Sequence, residues 1–94
     1  MEGSAKVKVP GGKLVAVKVE YNSAIEKIKI TGDFFMYPES ALGELEKILV
    51  GVNVGESEEN LAYTVYETLH RSRVTMIGVT PEAIASAIKR AVSK

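Results

Sequence analysis

The residues best placed to do chemistry gather in two short turns. The stretch "ITGDFFMYPES", Ile30 to Ser40, sets one carboxylate, Asp33, beside both phenylalanines of the protein, Phe34 and Phe35, with Tyr37 close behind. Gly32 can adopt a positive φ and end a strand there, and Asp33 can cap neighbouring amides. Two adjacent rings cannot face the same side of an extended chain. Strand parity sends Phe34 into the core after Ile28 and Ile30 and leaves Phe35 on the opposite face; the alternative has both rings closing the end of the core. The second turn is "PGGK", residues 10–13, where Gly11 and Gly12 could expose backbone amides beside the Lys13 ammonium. The spacing GxxxxGK followed by Ser or Thr is absent, so these residues read as a hairpin turn before an independent nucleotide site.

Other routes to catalysis find no residues to run on. The sequence has no cysteine and one histidine, which removes thiolate nucleophiles, disulfides and His-rich metal sites. It has no nucleophile elbow and no HExxH. His70 falls near the end of a helical stretch, where an imidazole complements the helix dipole. No catalytic residue and no metal ligand is therefore assigned.

Both turns need a scaffold, and the chain supplies one by a change of period. "AKVKV" alternates Ala5, Val7 and Val9 against lysines, and "KLVAVKVEY" puts Val15, Val17, Val19 and Tyr21 on one side. "NS" at Asn22 and Ser23 turns the chain, and "AIEKIKI" resumes with Ile28 and Ile30 inward. Three strands with short turns make an antiparallel meander with a lysine-rich outer face. Beyond the GDFF turn the period approaches four. Pro38 can start a helix whose stripe is Ala41, Leu42, Leu45, Ile48 and Leu49, with Glu44, Glu46 and Lys47 outside and Gly51 as the stop. Ser57 caps a second helix with Leu61, Ala62, Val65, Tyr66 and Leu69 inward. Residues 74–77 read as a fourth strand or a buried connector. Thr80 and Pro81 open a third helix, buried through Ile84, Ala87, Ile88 and Ala91. The fold class is α+β: a small three- to four-stranded antiparallel sheet with three helices packed on one face, in a single domain over residues 1–94.

The totals narrow the setting. At 94 residues and formal net charge +0, the chain has room for one modest core and no global pull toward nucleic acid. The lysine face lacks the interleaved aromatics that base stacking uses. No run approaches the roughly 18 apolar residues of a spanning helix, and the N-terminus lacks the apolar core of a signal peptide. A soluble, cytoplasmic protein is expected, with neither nucleic acid nor membrane as partner. Charge is nonetheless segregated: Lys6, Lys8, Lys13, Lys18, Lys27 and Lys29 dominate the first third, and glutamates dominate residues 39–67. Ordinary solvated faces account for such blocks, and so does docking onto a partner of opposite sign.

The order of these motifs carries a resemblance. "KVPGGKLVAVKVEYNSAIEKIKITGDFFMYPES", followed by an acidic amphipathic helix and "LVGV" at Leu49 to Val52, resembles the C-terminal accessory domain of lipoate-protein ligases over nearly the whole chain. The resemblance implies a noncatalytic subunit that joins a catalytic subunit in a heterodimer. ATP, Mg and lipoate are then expected at the catalytic subunit, where lipoyl-adenylate forms before transfer to lipoyl acceptor domains, which this chain serves indirectly. The adenylate motif and catalytic lysine of the large domain have no counterpart here. A chain beginning at Met1 and spanning one domain resembles the archaeal arrangement of separate polypeptides. Gly11, Gly12, Lys13, Gly32, Asp33 and Phe35 are the candidate partner-facing or active-site-facing residues, with Phe34 assigned to the core. A different class of function, a free-standing protein-binding adaptor unrelated to lipoate, would use the acidic helices or the lysine-rich sheet.

Overall fold

Period-two alternation builds the sheet. The computed structural model describes residues 1–11 and 13–92. Within it β1 (Glu2–Lys8), β2 (Leu14–Tyr21) and β3 (Ile25–Gly32) form an antiparallel meander in the order β1-β2-β3. Val15, Val17, Val19 and Tyr21 of β2 are buried together with Ile28 and Ile30 of β3. The pairs Val17↔Ile30 and Val19↔Ile28 keep these side chains on one face; a bulge beside Glu20 and Tyr21 then lets Ile25 turn inward as well.

Three helices cover that face. α1 (Ala41–Leu49) lies against β3, α3 (Pro81–Val92) lies across β1 and β2, and α2 (Glu58–Arg71) packs on α3 and α1. The Ser57 hydroxyl accepts the Asn60 amide at 3.1 Å, and the Thr80 hydroxyl accepts the Ala83 amide at 3.1 Å, so both expected caps satisfy an orphan donor of the first turn. α3 is the most deeply set, with Ala83, Ile84, Ala85, Ala87, Ile88 and Ala91 all buried. Small alanines let this helix approach the sheet closely while the two isoleucines fill the space between layers.

The open edge of β3 is closed by α1 and the connector beyond it. Glu46, expected to point outward from α1, instead reaches the sheet, where its Oε2 accepts the Ile30 amide at 2.7 Å. The connector after α1 continues the cover: Ile25 donates to Val52 O at 2.9 Å, and Gly51 donates to Ile25 O at 2.7 Å. An edge strand whose amides are occupied in this way is a poor template for pairing with another chain.

Four expectations need correction. The segment at residues 74–77 does form a strand, β5 (Thr75–Ile77), but its partner is β4 (Phe35–Tyr37), in a two-stranded ribbon separate from the meander. Phe34 keeps the inward parity of Ile28 and Ile30 but is only partly buried, packed against the core, and Met36, two residues further on, is the buried position. Ile48 and Tyr66 are exposed, because α1 and α2 each present a narrower stripe, Leu45 with Leu49 and Leu61 with Val65 and Leu69. Finally, α1 begins three residues after Pro38.

Candidate functional site

The two turns singled out by their chemistry meet at one corner. The Asp33 carboxylate accepts the Leu14 amide at 2.6 Å, and the Asp33 amide donates back to Leu14 O at 3.3 Å. Leu14 directly follows Lys13, whose carbonyl accepts the Val9 amide at 2.7 Å and closes the hairpin that carries Gly11, at φ 101°. Gly12 lies outside the described residues. One side chain thus ties "GDFF" to "PGGK". The Leu14 amide, helped by the nearby Lys13 charge, holds the Asp33 carboxyl below its ordinary value. A carboxylate so stabilised is a staple and a poor general base at neutral pH.

Gly32 is needed here for space. A Cβ at this position would run into the Leu14 carbonyl oxygen and the Phe34 ring, and no positive φ is involved, contrary to the expectation from its residue type. Gly78, just after β5, has the opposite reason as well as this one. Its φ is +85°, and an added Cβ would sit 2.9 Å from Lys13 Cγ. The Lys13 stem therefore lies on the Gly78 backbone, which joins the "PGGK" turn to the end of the β4–β5 ribbon.

The ribbon has two unlike faces. Met36 pairs with Met76 on the inner side, whereas Phe35 pairs with Ile77 and Tyr37 with Thr75 on the outer side. Phe35 is 58% exposed, Tyr37 50% and Ile77 53%. The Phe35 and Tyr37 rings stack with centroids 6.4 Å apart at 11°. Three large apolar side chains on one face of a short ribbon, with Lys13 at its end, form an exposed apolar patch with a charged edge. Residue type alone picked out Phe35 and Lys13. Tyr37 has the same strand parity as Phe35 and was readable on that ground, but Ile77 and Gly78 arrive through a pairing between segments about forty residues apart, which no local pattern reports.

Other chemistry-bearing residues stay apart from this corner. His70 sits in the last turn of α2 and stacks on Tyr66 at 5.3 Å. No group of three or more His, Cys, Asp or Glu side chains is placed to hold a metal among the described residues, and no helix of the structure is long and apolar enough to cross a membrane.

The fold and this corner define a small α+β domain that presents an exposed apolar ribbon beside the Lys13–Asp33 corner. Comparison with known protein families and with curated proteins finds no match. Among solved structures, a chain from Thermoplasma acidophilum superposes with a TM-score of 0.77 at 29% identity, covering 94% of this chain and 94% of that one. That structure is described as an archaeal lipoylation system, a bi-partite lipoate protein ligase and its E2 lipoyl domain. The similarity runs over the same span as the sequence resemblance and supports a lipoylation-related role.

Proposed function

We propose that this chain is the noncatalytic accessory subunit of a two-chain lipoate-protein ligase. The observation that carries the reading is the match to the Thermoplasma acidophilum chain over 94% of both lengths, from a system described as bi-partite. In this reading a separate catalytic chain holds ATP, Mg and lipoate, the two form a heterodimer in the cytoplasm, and lipoyl acceptor domains are served through the catalytic chain. Adenylation needs a carboxylate and ATP held in line and kept from water, because the mixed anhydride hydrolyses readily. Acceptor lysines must later reach the same atom, which favours a cover that can separate from the site. The outer face of the β4–β5 ribbon is the docking surface, with Phe35 as the apolar anchor beside Tyr37 and Ile77, and the Lys13 ammonium meets a carboxylate or phosphate at its rim.

The test mixes this chain with a catalytic chain and follows pyrophosphate release from ATP and lipoate. Neither chain alone should release it appreciably, and activity should rise with added accessory chain until the two are equimolar. Robust turnover by this chain alone, surviving removal of any contaminating ligase, would refute the noncatalytic assignment; no response of the catalytic chain would refute the pairing.

A further inference from the structure

The face of the sheet opposite the helices carries a cluster of like charge that the fold leaves unanswered. Its rows read directly from the strand register: Ser4, Lys18 and Lys29 in one, and Lys6, Ala16 and Thr31 in the next. Lys18 and Lys29 are direct cross-strand partners, and Lys6 is the diagonal neighbour of Lys18. All three are exposed. The ion pair between Arg71 and Glu67 lies on α2, and no carboxylate pairs with these lysines among the described residues. One row further along, Glu20 stands between Glu2 and Lys27, so acidic side chains border the lysine cluster on one side only. Like charges directly opposite on a sheet are destabilising, and the side chains between them, Ser4, Ala16 and Thr31, are small enough to leave an open groove of about 560 Å³.

We propose that this groove is a docking surface, distinct from the β4–β5 ribbon, for an extended acidic polypeptide segment of a partner protein. The charge favours an anionic occupant. The spacing suits a polypeptide: residues two apart on a strand are separated by about 6.7 Å, so an extended segment with carboxylates at alternate positions presents them at the same repeat as successive lysine rows. A single-stranded nucleic acid would lack the aromatic platforms on which its bases stack, since Phe35 and Tyr37 belong to the other sheet. The inference stands apart from the ligase reading, because it concerns a different face and its test contains no lipoate.

The experiment uses the full chain and a short fluorescent peptide with glutamate at alternate positions, read by anisotropy at low and physiological salt, beside an oligothymidine of similar length. Saturable peptide binding that weakens with salt is expected. Lys18→Gln combined with Lys29→Gln should weaken it about tenfold, whereas Lys47→Gln combined with Arg90→Gln, the same change in net charge on α1 and α3, should leave it within about twofold. Lys29→Glu should abolish peptide binding while raising the melting temperature, since it converts a like-charge pair into an opposite one. Absence of saturable binding, equal weakening by both double variants, oligothymidine bound as tightly as the peptide, or a melting temperature for Lys29→Glu that fails to rise would each overturn the proposal.

Discussion

At the scale of single residues, Asp33 decides how the corner is built. Its folded pKa is lowered, so its stabilising contact with Leu14 is fully present at neutral pH and is lost as pH falls through the folded value. Melts of the wild type and Asp33→Asn should therefore differ at pH 7 and converge in acid; curves that stay apart to the lowest pH would contradict the assignment. Beside it, strand parity holds from Ile28 and Ile30 through Phe34 to Met36, but Met36 is buried and Phe34 only partly covered, a difference in depth that alternation alone does not report. Met36→Ala should cost about 2–5 kcal/mol in denaturant unfolding, Phe34→Ala less, and Phe35→Ala least. Phe35→Ala should instead lose affinity for the catalytic chain in a pull-down. Tyr21 offers a separate check: it is 2% exposed and its hydroxyl has no hydrogen-bond partner among the described residues. Removing an unsatisfied buried hydroxyl should not destabilise, so Tyr21→Phe is expected to unfold at equal or higher denaturant than the wild type.

At the scale of elements, the sequence made legible the features that local pattern specifies. The inward valines of β2, the Ser57 and Thr80 caps, and the alanine-rich stripe of α3 all come from periodicity and residue type, and each appears where that logic puts it. Pairing between distant segments was not legible. β5 was recognisable as extended, but nothing in "TMI" states that it will pair with Phe35–Tyr37 and leave the meander alone. Glu46 shows the same limit in a side chain, since its place on the polar side of α1 conceals the Ile30 amide waiting beyond it. Glu46→Ala leaves that edge amide without its charged acceptor, and a loss of about 1–3 kcal/mol is expected, with hydrogen exchange at Ile30 rising more than at Val17 in the central strand. Uniform change across β2 and β3 would argue against a local role for the carboxylate.

At the scale of the whole molecule, the sheet and helices serve to hold two surfaces apart: an apolar ribbon beside the Lys13–Asp33 corner and a basic sheet face. We propose that the first of these completes a ligase during activation and is dispensable once the acyl group is activated. Adenylation requires three components assembled and shielded at once, whereas transfer starts from a preformed anhydride and waits only on the approach of an acceptor lysine. One preparation of catalytic chain should therefore be assayed twice, from ATP plus lipoate and from chemically made lipoyl-adenylate, each with and without this chain. Omitting the chain should abolish the first activity and largely spare the second; equal loss of both, or retention of both, would rule out this role.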